Sequence, residues 1–265
     1  MNVYVVSAPT SDDYNSTLAM AFKLFKKDYE VQPIFSTLGT DMHCHLIPAV
    51  DDGSKCIEES LECLQTLKAV GYNKVYITPH FQHPRFPNDE DDIVRHYETL
   101  CNAVADAGIG IELAGIAGEY RIDAGFQARL DSPRFLQIAN KYVLIEFPLH
   151  QQTPGADKMI FDMQMKGYDI ILAHPERYPF LNIDGPHIER LLNGGALLQV
   201  NALSLGGFYG EEVQRRAFAI IERGWASFIG TDTHNTLYCQ ALRDLSRSRK
   251  VKKILEKYKF LNNTL

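Results

Sequence analysis

From Leu38 onward, short apolar or β-branched runs alternate with amphipathic stretches. The runs are LGTDMHCH, KVYITPH, GIELAGIAGEY, YVLIEFP, DIILAHPERY, ALLQVNALS and ASFIGTDTH. Near-continuous apolar runs of this length suit parallel strands buried on both faces, and amphipathic segments between them suit the helices that cover such a sheet. In SKCIEESLECLQTLKAVG, Ile57, Leu61, Leu64 and Leu67 recur at helical spacing. That spacing predicts a helix with Ser54 as its cap and Gly71 as its stop. EEVQRRAFAIIERG predicts another, ending at Gly224. Seven strand–helix units point to an α/β fold, a closed or nearly closed barrel related to the TIM architecture. An open doubly wound sheet is the competing arrangement, although no G-x-G-x-x-G follows the first run.

Residues 1–37 lack this alternation. FKLFKKDYEVQPIFSTLG mixes lysines, aromatics and a proline without a clear period. The expected organisation is therefore an N-terminal extension over 1–37 and a catalytic barrel over 38–265. The chain has 265 residues and a formal charge of −6, which argues against a basic face for nucleic acid or anionic membrane. No basic segment followed by a long apolar run opens the chain, and no stretch has the apolar length of a membrane span. The five cysteines are odd in number and form no CxxC pair, which favours a reducing, cytoplasmic setting.

The polar residues change the picture more. Six of the seven runs end in residues that bind metals: His43 and His45, His80, Glu119, Glu146, His174, and Asp232 with His234. In a parallel barrel the carboxyl ends of all strands meet at one mouth, so residues far apart in sequence would converge there. Residues two apart on a strand share a face, so His43 and His45 could both aim into the mouth while Cys44 points away. A lone HxH or DxH arises often by chance, and a single buried histidine is more often a satisfied core residue. Repetition at strand ends is what lifts this set above that level. Imidazole and carboxylate without thiolate suit Mn²⁺, Fe²⁺ or Zn²⁺.

DMHCHLIPAVDDGS, ITPHF, GEYRID, LIEFP, LAHPERY and GTDTH, in this order over about residues 38–245, resemble the motifs of the PHP (polymerase and histidinol phosphatase) superfamily. The nearest branch is the bacterial manganese-dependent tyrosine-protein phosphatases of capsule and exopolysaccharide synthesis. The chain departs from the usual PGIDDG with PAVDDG and from the usual AAEY with GIAGEY, and neither change removes a ligand. The resemblance implies a distorted seven-stranded barrel with three divalent ions, most simply Mn²⁺. It assigns His43, His45, Glu119 and Asp232 to the first ion. Glu119 would bridge to a second held also by Glu146 and His174. Asp52, His80 and His234 would hold the third. Asp51, adjacent to Asp52, is the obvious confusion, and Asp52 is favoured from the motif alone.

Three divalent ions against the carboxylates of Asp52, Glu119, Glu146 and Asp232 leave the mouth at about +2, which favours a phosphate dianion. The expected chemistry is attack on phosphorus by metal-bound hydroxide, with Asp232 and Arg177 as catalytic residues. Arg177 could clamp phosphate oxygens with its planar fork, against the plainer expectation of a salt bridge to Glu176. Arg85, on the loop after His80, is a weaker candidate for the same contact. Phe81, Tyr120, Tyr178 and Tyr209 are candidates for an aromatic rim that accepts a tyrosine ring, with Tyr209 taken as a substrate contact. His150 is the candidate acid among the other histidines, which are expected on the surface. A thiolate mechanism is disfavoured because no cysteine has an arginine six positions later. The expected substrate is a phosphotyrosine protein, such as the tail of a bacterial tyrosine kinase. A small-molecule phosphomonoesterase of the histidinol phosphatase kind is the alternative, a nuclease is disfavoured by the missing basic stripe, and a vestigial binding module is disfavoured by the intact ligand set.

Overall fold

Each of the seven apolar runs yields strand, but two of them break. A computed structural model of the chain describes residues 30–123, 125–131 and 134–265. Most of the expected extension, residues 1–29, lies outside the described residues. Its remainder contains a 3₁₀ turn, Ile34–Thr37, in which Ile34 and Phe35 are buried and the Phe35 ring stacks on Tyr72 at 5.2 Å.

In chain order the strands are β1 (Thr40–Asp41), β2 (Lys74–Ile77), β3 (His80–Phe81), β4 (Glu112–Ile116), β5 (Glu119–Arg121), β6 (Tyr142–Glu146), β7 (Asp169–Ala173), β8 (Leu197–Asn201) and β9 (Ala226–Gly230). All named pairings are parallel. One sheet has the order β1-β2-β4 and the other β3-β5-β6-β7-β8-β9. The run KVYITPH thus supplies β2 and β3, broken at Thr78-Pro79, where proline cannot donate to a ladder. The run GIELAGIAGEY supplies β4 and β5, broken at Ala117-Gly118. A side chain at Gly118 would meet the Phe81 and Tyr120 rings within 2.7 Å, so the break brings backbone against that stacked pair.

The ladder does not close between β9 and β1, but polar contacts span the gap. Cys44 and Thr233 form an isolated parallel bridge. Asp232 N donates to His43 O at 2.8 Å and His45 N donates to Thr233 O at 2.9 Å. Buried Asp41 accepts from Thr231 N at 2.9 Å and Thr231 Oγ1 at 2.6 Å. Near the carboxyl terminus, Asn262 Nδ2 donates to Thr40 O at 2.9 Å and Ile229 O at 2.6 Å.

The helix after β1, α1 (Ile57–Val70), buries Cys63, Leu64, Leu67 and Val70 and stops at Gly71, whose φ is +117°. Ser54 is not its cap: Cys56 holds that position and makes no side-chain capping bond. The remaining helices are α2 (Glu90–Ala107), α3 (Phe126–Asp131), α4 (Ala156–Met165), α5 (Pro186–Asn193), α6 (Ala202–Leu205), α7 (Glu211–Glu222), α8 (Thr236–Leu245) and α9 (Arg249–Lys257). No helix among the described residues is long and apolar enough to cross a membrane.

The strand period divides the core in two. On β6, Val143 and Ile145 join the large cluster shared with the helices, while Tyr142 and Leu144 join a smaller one with Met42, Tyr76, Ile171, Ala173 and Phe228. Glu146 has the parity of Tyr142 and Leu144, so it faces the side of the smaller cluster.

Candidate metal centre

All nine predicted ligands come together. His43 Nε2 and His45 Nε2 lie 3.1 Å apart, and each is 3.3 Å from both Glu119 Oε2 and Asp232 Oδ1. His80 Nδ1 is 3.0 Å from Glu119 Oε2 and 3.4 Å from Glu146 Oε1. His174 Nε2 is 3.0 Å from Glu119 Oε1 and 4.0 Å from Glu146 Oε2. Asp52 Oδ1 is 3.4 Å from His80 Nε2 and 3.6 Å from His234 Nε2. Candidate ligand groups with donor atoms within 4.8 Å of one another are His43, His45, Glu119 and Asp232; His80, Glu119 and Glu146; and His45, His80 and His234.

Local backbone explains how neighbours in sequence aim alike. Gly230 lets the β9 end pass close to the cluster, since a side chain there would lie 2.8 Å from His43 Cβ. His174 has the parity of Ile170 and Leu172, which face the helices, yet its ring turns toward Glu119. Its φ of +35° is left-handed, and Asp232 at +54° is too. Such backbone is costly for non-glycine residues and persists where surroundings hold it. Simple strand alternation therefore does not account for these two side chains, nor for His43 and His45, which follow the two-residue β1.

The outer nitrogens of the histidines are already engaged. His43 Nδ1 is 2.8 Å from Gln199 Oε1, and His45 Nδ1 is 2.9 Å from Asp51 Oδ2. Both partners accept hydrogen bonds, which places the imidazole protons outward and leaves both Nε2 lone pairs facing each other and two carboxylate oxygens. Glu119 Oε2, His80 Nδ1 and Glu146 Oε1 are buried without a hydrogen-bond partner. Converging lone pairs on buried groups are expensive unless a cation sits among them, so the donor set fits divalent ions. Burial and then neighbouring Glu119 push Glu146 up to about 7. Burial would also raise Asp232, but His43 and His234 in their protonated forms, together with Arg177, outweigh it and hold the carboxyl well below its usual range.

The structure separates Asp51 from Asp52. Asp51 sits beneath His45, also accepting from His80 N at 2.9 Å and Gly53 N at 2.8 Å. Asp52 faces His80 and His234. Asp51, Gln199 and Asn201, whose Nδ2 donates to Asp232 Oδ2 at 2.8 Å, orient the cluster from behind.

A cavity of about 230 Å³ opens over the cluster, with Arg85, Arg121, Arg177, Leu149 and Tyr238 in its walls. Arg177 Nη1 donates to Asp232 Oδ2 at 2.8 Å, and its guanidinium lies 4.4 Å from the Tyr209 ring. Its partner is thus Asp232 and not Glu176, whose Oε1 accepts from Asn201 N and Ser204 Oγ. Arg85 Nη2 is 3.2 Å from Asp52 Oδ2. Phe81, Tyr120 and Tyr178 are not rim residues. They are buried in the core, where the Tyr120 hydroxyl accepts from Leu136 N and the Tyr178 hydroxyl donates to Ala173 O. His150 is exposed and does not line the cavity. Cys44 is buried with its thiol toward Tyr76 O, and burial holds its pKa well above normal.

Arg121 and Tyr238 are among the wall residues that escaped the sequence reading. Arg121 follows Glu119 by two positions on β5, and its Nε lies 3.5 Å from Glu146 Oε1 without a hydrogen-bond partner. Strand parity with Glu119 was the available signal. Tyr238, in the first turn of α8, stacks on the ring of His234, which precedes the helix, at 5.1 Å, and no sequence period marked it.

A parallel α/β fold with a buried histidine–carboxylate cluster at its strand ends places this chain among proteins whose site could hold divalent metal ions. The chain belongs to the capsular polysaccharide synthesis CpsB/CapC family, whose model matches residues 39–258. It is 31% identical over 218 residues to "Putative tyrosine-protein phosphatase CapC" of Staphylococcus aureus, covering 82% of this chain and 85% of that one. Tyrosine-protein phosphatase YwqE of Bacillus subtilis (strain 168) is 28% identical over 196 residues, covering 74% and 77%. A solved structure from work on YwqE of B. subtilis and CpsB of Streptococcus pneumoniae, described as unique metal-dependent tyrosine phosphatases, superposes with a TM-score of 0.68. It is 24% identical, and the match covers 83% of this chain and 96% of that one.

Proposed function

We infer that this chain is a metal-dependent phosphatase that hydrolyses protein phosphotyrosine in the control of capsule or exopolysaccharide synthesis. What carries it is the convergence of buried imidazole and carboxylate groups, with Glu119 Oε2, His80 Nδ1 and Glu146 Oε1 left without a hydrogen-bond partner, in a chain of the CpsB/CapC family. His43, His45, Glu119 and Asp232 would hold one ion. Glu119, Glu146 and His174 would hold a second, and Asp52, His80 and His234 a third, with manganese preferred over iron or zinc. Bound ions of this kind supply Lewis-acid charge and an activated water.

The chain's own groups do the rest. Arg177 presents its guanidinium at the cavity wall, fixed by Asp232 and the Tyr209 face, where it can orient phosphate oxygens and offset their charge. Arg85 extends this positive wall and Tyr238 borders the path of the phenol ring, while Tyr209 stands behind Arg177 and outside the cavity wall. The leaving phenol has a pKa near 10, so departure needs less help from a protein acid than an alkyl alcohol would. The same wheel of seven β/α units, with β2–β3 and β4–β5 as kinked staves, would form a distorted TIM-like barrel of the PHP type. A cytoplasmic site of action on a tyrosine-kinase tail fits a chain of acidic net charge with free cysteines.

The test is a panel of esters offered with Mn²⁺ and with chelator: a phosphotyrosine peptide, a phosphoserine peptide, histidinol phosphate and a phosphodiester. Phosphotyrosine is expected to be turned over fastest, with loss on chelation and no loss in Cys44→Ala. Preference for histidinol phosphate, or turnover that survives chelation, would refute the proposal.

A further inference from the structure

We propose that a groove beside the metal centre binds the substrate polypeptide next to its phosphotyrosine and accepts a bulky apolar side chain there. This rests on the phosphotyrosine reading above. The cavity over the cluster, about 230 Å³, is smaller than the roughly 300–1,000 Å³ of sites that enclose drug-sized ligands. It suits a phosphoryl group and part of a ring, and the chain that carries them must lie outside it.

A second cavity, of about 440 Å³, adjoins the first: Gln82 and Arg121 stand in the walls of both. Its remaining walls include the more accessible Phe86 and Pro87, with the buried Phe81 and Phe126 at its base. The Phe86 ring lies parallel to the His80 ring, 5.7 Å away and tilted by 4°, so the apolar surface begins where the ligand set ends. Arg129 lies 5.1 Å from both the Phe81 and Tyr120 rings, which stiffens this wall. Of the charges in these walls, Arg129 is paired with Glu90 and Arg134 with Asp91, while Arg121 and Asp123 stand where the groove meets the catalytic cavity or its flank. An apolar surface among paired charges selects for apolar contact and against an isolated charge. Continuity with the catalytic cavity makes the neighbour of the phosphotyrosine the natural occupant.

Ala128, exposed on α3, also lines this groove and touches none of the candidate ligands or phosphate-facing arginines. Ala128→Trp would fill the groove and leave the catalytic cavity open. With Mn²⁺ present, kcat/KM for a phosphotyrosine peptide carrying leucine beside the phosphotyrosine is expected to fall about tenfold, the scale of one lost apolar contact. p-Nitrophenyl phosphate, which has no chain to seat, is expected to be hydrolysed at the unaltered rate. In the unsubstituted protein, the leucine peptide is expected to outperform the same peptide with alanine at that position. Equal losses on both esters, no loss on either, or no preference between the two peptides would overturn the proposal. A change of solution mass in Ala128→Trp would also overturn it, by assigning the groove to a second copy of the chain. Failure of the unsubstituted protein to cleave either ester would instead remove the phosphatase reading, and the groove's role with it.

Discussion

Asp232→Asn is expected to reduce kcat/KM on a phosphotyrosine peptide by at least roughly 10²–10³-fold, the scale of losing one preorganised electrostatic stabiliser. Asp232 Oδ1 stands 3.3 Å from both His43 Nε2 and His45 Nε2, while Oδ2 receives Arg177 and Asn201. One carboxylate therefore joins the proposed first ion to the proposed phosphate clamp, and the amide removes its charge. Asparagine preserves the shape and one acceptor, so the partly buried Arg177 keeps a partner and the fold should hold. Asp232→Ala should lose at least as much activity, and also some stability, because it leaves the partly buried Arg177 guanidinium without its anion. His43→Ala should match the loss of activity. Near-normal rates in Asp232→Asn and His43→Ala, at saturating Mn²⁺, would refute the ligand assignment.

Arg177→Ala is expected to lower kcat/KM by roughly 10²-fold while leaving the metal content unchanged, which separates a clamp from a ligand. The guanidinium is held at two faces, by Asp232 at 2.8 Å and by the Tyr209 ring at 4.4 Å, so its fork is fixed before substrate arrives. Arg177→Lys keeps the charge but loses the planar pair of donors, and should recover only part of the loss. Equal kcat/KM in all three proteins would show that Arg177 only braces Asp232.

The cluster of candidate ligands was legible as a cluster because it lies at strand ends, and apolar runs announce strand ends without any knowledge of packing. His80, Glu119 and Glu146 needed only that rule. His174 and Asp232 were found by position too, but their inward aim depends on left-handed backbone that periodicity cannot report. The breaks at Pro79 and Gly118 split two runs whose apolar character is continuous, so the division into nine strands was not visible in the pattern. The aromatic residues were the weakest inference. Phe81 and Tyr120 directly follow candidate ligands yet lie in the core, because adjacent residues on an extended chain face opposite ways. Tyr178, beyond a 3₁₀ turn after His174, packs its ring against Phe147. Arg121, two after Glu119, obeys the same rule in the site's favour. The motif favoured Asp52 over Asp51, and the fold supplies the physical difference by placing Asp51 beneath His45 and Asp52 beside His80 and His234.

The most direct measurement is the metal content of the protein as purified, without added metal, followed by crystallographic location of the ions by anomalous scattering. Three divalent ions per chain are predicted, with His43, His45, Asp52, His80, Glu119, Glu146, His174, Asp232 and His234 as their protein ligands. Protein that hydrolyses phosphotyrosine at full rate with less than one ion per chain, or ions bound away from these side chains, would contradict the account.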